Sequence, residues 1–312
     1  MRYAIMIEPQ QGMSYDDILA VARTVEEAGF EALFRSDHYT SFPGELGLRT
    51  TDCWSTLAGL ARDTTRIRLG SMVSPMTFRV PGSFAKQVAT VDEMSGGRIE
   101  AGLGAGWNED EHAQLGIPYP EAKIRVDILE ETLQLFHGLW HEPDGWTIDG
   151  EHVKVTGSLF RPRDARPPII VGGSGRPRSL RLAATYADEH NLSSATPEQA
   201  IEVNGKLDAL CATVGRDPRT LVRSAMIGLL LGRDAADLQR RTADQLAVWG
   251  TAATEGEAWL DERRGRWAIG LAADARARVS ALEDAGIERV MLQTFLPFDL
   301  DQIRLAGEIF LG

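Results

Sequence analysis

The sequence predicts an α/β protein, a single (β/α)8 barrel of the TIM type, and three observations carry that expectation. Short runs rich in isoleucine, valine and leucine recur eight times between segments with helical spacing, the pattern of repeated βα units. The stretches EEAGFEALF (26–34) and EDAGIERVM (283–291) read alike as helix, Ala-Gly stop and strand, as copies of one unit would. No linker rich in Pro, Gly and Ser divides the 312 residues, so one domain spanning 1–312 is expected, with a doubly wound open sheet as second choice.

The strands are expected near 2–8, 31–37, 67–74, 98–104, 168–172, 189–194, 222–231 and 287–294. Between them, Pro81 opens a helix whose Phe84, Val88, Val91 and Met94 fall on one face, and Leu129, Leu133, Phe136 and Trp140 mark another. Residues 141–166 contain WTIDGEHVKVTG, read as a strand pair in a long connection, and 234–264 read as wholly helical and polar. With 39–51, these are insertions expected at the C-terminal mouth, where long barrel connections usually lie, or at an oligomer contact.

A formal net charge of -12 argues against a general affinity for nucleic acid or an anionic membrane, because both need a field of the opposite sign. An anionic ligand must therefore be met by local basic groups. Cys53 and Cys211 have no neighbour at metal-ligand or redox spacing and read as packed thiols in a reducing, cytoplasmic compartment. The apolar part of MRYAIMIEPQ is too short for a signal peptide, and the run from Met226 to Leu231 is far short of a membrane span.

In a barrel the chemistry gathers at the C-terminal ends of the strands. The first strand ends at Glu8, the second at Ser36, Asp37, His38 and Tyr39, the third at GSMVSPM (70–76) and the fourth at GLGAGWNEDEH (102–112). His38 beside Asp37 is either a general acid oriented by a carboxylate or a histidine satisfying backbone groups. GLGAG lacks the GxGxxG spacing; close barrel packing accounts for Gly102 better than for Gly104 and Gly106. Glu109, Glu111 and His112 miss the HExxH spacing and read as solvated helix residues; no GxSxG elbow occurs. The fifth strand runs into PPIIVGGSGRPRSLRLAA (167–184). Its glycines followed by a helix start suit an anion, most simply a phosphate, although a tight turn with a solvated basic face reads as well.

The stretches IEPQQG (7–12), FRSDHY (34–39), TRIRLGSMVSPMTFRVPG (65–82), ATVDEMSGGRIEAGLGAGWNEDEHAQLGIPYP (89–120) and PPIIVGGSG (167–175) occur in that order. On them the sequence resembles the luciferase-like monooxygenase superfamily, and within it the deazaflavin (coenzyme F420)-dependent oxidoreductases. The resemblance covers nearly the whole chain and is weakest over 232–268. It implies a flavin or deazaflavin across the mouth, with Asp37 and His38 near the reactive edge of the ring. Ser71, Met72 and Val73 would form a bulge behind that ring, where relatives often hold a cis non-prolyl peptide. Asn108, after Trp107, would bond the cofactor's polar chain or ring edge. Gly172, Gly173, Ser174 and Gly175, with Arg176 beside them, would take its phosphate, and Arg125 would assist. A homodimer is implied by the same analogy.

One departure limits the carry-over. Sugar-phosphate dehydrogenases of this superfamily place a glutamate after the fourth-strand glycines as proton donor, and that place is read here as Trp107. Glu8, Glu109 or His38 are the substitutes on offer. The expected function is hydride transfer between F420 and a small organic substrate. The rivals are an FMN-dependent monooxygenase using reduced flavin and oxygen, and a cofactor-binding protein without turnover. The choice of F420 rests on Arg161, Arg163 and Arg166 before the glycine loop and Arg176, Arg178 and Arg181 after it, a basic patch suited to the acidic oligoglutamyl tail that FMN lacks.

Overall fold

A computed structural model of the protein describes residues 1–162 and 166–312, so Arg163 lies outside the described residues. The strands are β1 (Arg2–Ile7), β2 (Ala32–Arg35), β3 (Arg68–Ser71), β4 (Ser74–Pro75), β5 (Ile99–Gly104), β6 (Trp146–Asp149), β7 (Lys154–Ser158), β8 (Ile169–Gly173), β9 (Glu189–Ser193), β10 (Val222–Leu231), β11 (Ala268–Gly270) and β12 (Arg289–Thr294). The helices are α1 (Tyr15–Glu27), α2 (Cys53–Asp63), α3 (Pro81–Ser95), α4 (Glu109–Leu115), α5 (Ala122–His141), α6 (Pro177–Tyr186), α7 (Pro197–Thr213), α8 (Ala235–Val248), α9 (Gly256–Arg264), α10 (Ala272–Asp284) and α11 (Leu300–Phe310).

Eight strands pair in parallel in the order β1, β2, β3, β5, β8, β9, β10, β12, and β12 pairs back onto β1. The ring is closed, which makes the fold a (β/α)8 barrel. Alternation along each strand sorts its side chains. Ile5 and Ile7 of β1 join the large cluster under the helices, whereas Ala4 and Met6 join Phe34, Met72, Ile170 and Met291 inside the barrel. Below that apolar layer, at the N-terminal end, Arg289 bonds Glu100 at 2.6 Å and Glu189 at 3.1 Å, and Arg68 joins Glu100 from its other side.

The two helical faces expected from spacing are buried as expected on α3 and α5, apart from a half-buried Met94. The third expected strand is split: the chain leaves β3 at a cis Met72–Val73 peptide and resumes as β4, which pairs with β5. The expected strand pair in 141–166 exists as the antiparallel β6–β7 hairpin, but it does not reach the mouth. It follows α5, which returns the chain to the N-terminal end, and lies along that helix. The Trp146 ring fills the space above Gly138, and the Glu131 carboxylate accepts from the backbone N–H groups of Glu151, His152 and Val153.

The 234–264 segment is α8, a short 3-10 turn and α9, and it is not polar throughout. Leu246, Trp259 and Leu260 pack with Leu230, Trp267 and Leu296, because β11 (not expected from the sequence) adds to β10 beyond the barrel and needs a cover. The Val248 carbonyl lies so close over Gly44 that no side chain fits there. The 39–51 segment and α8 therefore touch. Among the described residues no helix is long and apolar enough to cross a membrane.

Candidate active site

At the C-terminal mouth lies a cavity of about 480 Å3 that includes His38, Val73, Trp107, Gly172, Gly173 and Arg176 in its lining, a volume within the range of small-ligand sites. Its floor is shaped by Val73. A Cβ on Gly104 would come 2.5 Å from a Val73 methyl, and one on Gly172 would come 3.0 Å from the other. These glycines leave room for the bulge after β3, so Gly104 as well as Gly102 answers to packing. Ser71 is fully buried and donates to the Gly102 carbonyl at 3.0 Å, holding the bulge from beneath without reaching the cavity.

One wall is the end of β8. A Cβ on Gly173 would meet Ser179 Oγ at 2.7 Å, so that hydroxyl would have to shift to admit a side chain, and Gly175 turns with φ +83°. The first turn of α6 carries Pro177 at its start and no side-chain cap, which leaves its N–H groups open at the positive end of the helix. Arg176 and Arg178 both line the cavity. Arg178 is already held by Asp127 and by Glu130, the latter at 2.8 Å, and Arg181 bonds Glu130 at 2.7 Å. Arg176 is exposed and has no ion pair among the described residues.

Of the arginines before the loop, the two that are described, Arg161 and Arg166, do not join this patch. Arg161 bonds Asp144 at 2.7 Å beside the β6–β7 hairpin, and Arg166 lines a separate pocket with Ile169, Asp188 and Arg216, at the other end of β8. Sequence proximity misled here because a strand carries its two flanks to opposite ends of the barrel.

The facing wall carries His38, and its neighbours differ from those expected. Asp37 is fully buried and turned away: it accepts from Arg79 through both oxygens, at 2.6 and 3.1 Å, and from Ser74 Oγ at 2.6 Å. It neither orients His38 nor lines the cavity. The carboxylate that meets His38 is Glu111, whose Oε2 lies 2.9 Å from Nδ1, while its Oε1 accepts from the backbone N–H groups of Tyr39 and Thr40. The edges of Phe42 and Trp107 pack on the imidazole, with ring centroids at 4.5 and 5.8 Å.

Glu111 and His112 are both fully buried, which overturns their reading as solvated residues. His112 donates from Nδ1 to the Asn108 carbonyl at 2.6 Å and accepts from Thr77 at 2.7 Å, so it is a satisfied structural histidine. Asn108 is spent as the N-cap of α4, its side chain accepting from Glu111 N at 3.3 Å, and it does not line the cavity. Arg125 stacks over the Tyr119 ring at 4.0 Å and donates to the Pro120 carbonyl; Val126 and Leu129 of the same helix reach the cavity instead. Glu8 is buried and bonded by Gln10 and Gln293, closed off as a proton donor.

The residues present fit a flavin-type cofactor: a shaped floor, a glycine-lined wall under an uncapped helix start, and one unpaired cation. A family model described as luciferase-like monooxygenase matches residues 1–293. An F420-dependent glucose-6-phosphate dehydrogenase of Beutenbergia cavernae is 30% identical over 251 residues, 77% of this chain and 70% of that one. An uncharacterised Mycobacterium tuberculosis protein is 32% identical over 186 residues, 54% of this chain and 64% of its own length. A solved F420-dependent secondary alcohol dehydrogenase, in complex with an F420-acetone adduct, superposes with a TM-score of 0.85 at 19% identity, covering 99% of this chain and 98% of that one.

Proposed function

The chain belongs to the luciferase-like monooxygenase family, and from that premise we propose that it is an F420-dependent oxidoreductase acting on a small organic substrate. The observation that carries the reading is that His38 and the glycine-lined end of β8 face one cavity. Relatives named as F420-dependent dehydrogenases support the choice of cofactor. The charge argument does so less than the sequence implied, because among the described residues only Arg176 remains a cation without an ion pair at the loop.

Deazaflavin supplies a ring carbon that takes or gives a hydride, which favours two-electron transfer over oxygen chemistry. The protein's part is to bind and orient. Residues 172–175 and the first turn of α6 hold the phosphate. Val73 backs the ring. His38 exchanges the proton that must accompany hydride transfer at a carbon bearing oxygen. Phe42 and Trp107 keep bulk water from the imidazole.

Titration of the purified protein with F420 and with FMN, followed by fluorescence, tests the reading. F420 binds the more tightly; tighter FMN binding would install the monooxygenase in its place. Gly173→Asp places a charge where N–H groups meet phosphate and weakens F420 binding at least tenfold, about 1.4 kcal/mol, beyond the loss caused by Gly173→Ala. Equal losses in the two variants would move the phosphate elsewhere.

A further inference from the structure

We propose that Glu111 is a positioning residue that decides which nitrogen of His38 faces the cavity. The inference rests on the reading of His38 as the proton carrier.

Glu111 reaches His38 from a different element, 73 residues along the chain, and its side chain is 1% exposed. A carboxylate buried so completely must be met by donors. Oε1 takes two, the N–H groups of Tyr39 and Thr40, which leaves Oε2 to accept from the imidazole. Because an ionised carboxylate can only accept, the proton of neutral His38 sits on Nδ1. Nε2 then presents a lone pair on the cavity side. Phe42 and Trp107 pack edgewise on the ring and oppose its rotation.

The consequence for chemistry is specific. An alcohol that loses hydride from carbon, to the deazaflavin as oxidant, must also lose its O–H proton. Nε2 accepts that proton, a carbonyl forms, and the resulting imidazolium keeps its Nδ1–H on Glu111. In the reverse direction Nε2 returns the proton to the oxygen as hydride reaches the carbon.

A purely structural role, tying residues 39 and 40 to α4, can be separated from this one. In Glu111→Gln the amide oxygen still accepts from both backbone N–H groups, so the tie persists. Only the atom facing His38 changes, from acceptor to donor, and the imidazole must carry its proton on Nε2 to accept from it.

The tautomer is read directly by 15N NMR of the cofactor-free protein labelled at its six histidines, with His38 assigned by its loss in His38→Gln. The expected result is Nδ1–H in the wild type and Nε2–H in Glu111→Gln. Carbethoxylation of His38 by diethyl pyrocarbonate, which needs the free lone pair, slows at least tenfold in the variant while F420 affinity stays within threefold. An Nε2–H tautomer in the wild type overturns the proposal even if the variant fails to fold. So does a folded variant with unchanged tautomer and carbethoxylation. Failure of the wild type to bind F420 would instead sink the functional reading and leave the tautomer assignment to stand on its spectrum.

Discussion

At the N-terminal end of the barrel Arg289, Glu100 and Glu189 meet inside the strand ring at 2.6 and 3.1 Å, with Arg68 and Glu31 closing the rim. Burial pushes the Glu100 carboxyl up, but the guanidiniums of Arg289 and Arg68 outweigh it and hold the group below the usual carboxylate range. Glu189 meets Arg289 and Ser224, and there burial, helped by the nearby Glu100 charge, wins and raises it. At the C-terminal end the adjacent residues Asp37 and His38 divide the same two fates. Asp37 is closed by Arg79 and Ser74, whereas His38 is satisfied on Nδ1 alone. Buried charge by itself therefore does not mark the site. What marks it is a polar group paired on one side and open to a cavity on the other.

The largest effect is expected where closure is complete. Arg289→Ala leaves Glu100 and Glu189 facing each other inside the barrel and costs about 3–5 kcal/mol of stability in equilibrium denaturation, as loss of one partner of a buried pair does. The folded fraction should still bind F420 with wild-type affinity. A loss under about 1 kcal/mol would mean that water reaches this end, and the contrast between the two ends would fail.

The mouth inverts that pattern. His38→Gln should change stability by less than about 1 kcal/mol yet slow hydride transfer to or from F420 by roughly 10²–10⁴, the range of general acid–base catalysis. Stopped-flow absorbance of the bound cofactor separates the chemical step from binding. Normal transfer with normal binding would reduce His38 to a packing residue.

Much of this organisation is legible in the sequence, for a physical reason. Strand and helix periods are local, so the eight βα units, the buried faces of α3 and α5 and the 141–166 strand pair can be read from spacing. Pairing between side chains is not local. Arg79 lies 42 residues from Asp37, and Glu111 lies 73 from His38; nothing in either neighbourhood announces the partner. In a helix as short as α4 no periodicity shows that Glu111 and His112 look inward. Its capping asparagine is the one local signal, since Asn108 followed by three acidic residues marks a helix start rather than a free cofactor ligand. The arginines described around the glycine loop failed as a patch for the opposite reason. They are close in sequence, but β8 separates Arg161 and Arg166 from the three that follow it, and α5 carboxylates occupy Arg178 and Arg181.

A smaller effect belongs to the lower end. His190 is buried beside Arg223, and burial first, then that guanidinium, lowers its pKa from 6.5 to about 4. A histidine depressed in the folded state binds its proton more readily when unfolded. It contributes stability fully above about pH 6.5, and that contribution is lost as pH falls toward 4, by roughly 3 kcal/mol in all. Denaturation of the wild type and of His190→Leu at pH 7 and pH 4.5 isolates it: the variant should lose less stability between the two. Parallel losses would show that His190 does not titrate in this window.

The smallest effect, and the one most specific to the mouth, concerns the two arginines that open α6. Arg178 is held by Asp127 and Glu130, so reversing it breaks a network between α5 and α6 and disturbs the wall whatever the ligand. Arg176 lines the cavity with no such partner, so reversing it removes only a field felt by an anion. Arg176→Glu should leave stability within about 0.5 kcal/mol and weaken F420 severalfold at low salt. The difference from wild type should shrink as ionic strength rises past 0.1 M, where exposed charges are screened beyond about 10 Å. FMN, without the acidic tail, should lose less. If the loss instead persists in high salt and is equal for both cofactors, Arg176 touches the shared phosphate directly. The tail then lies elsewhere, and the last support for F420 from charge alone is gone.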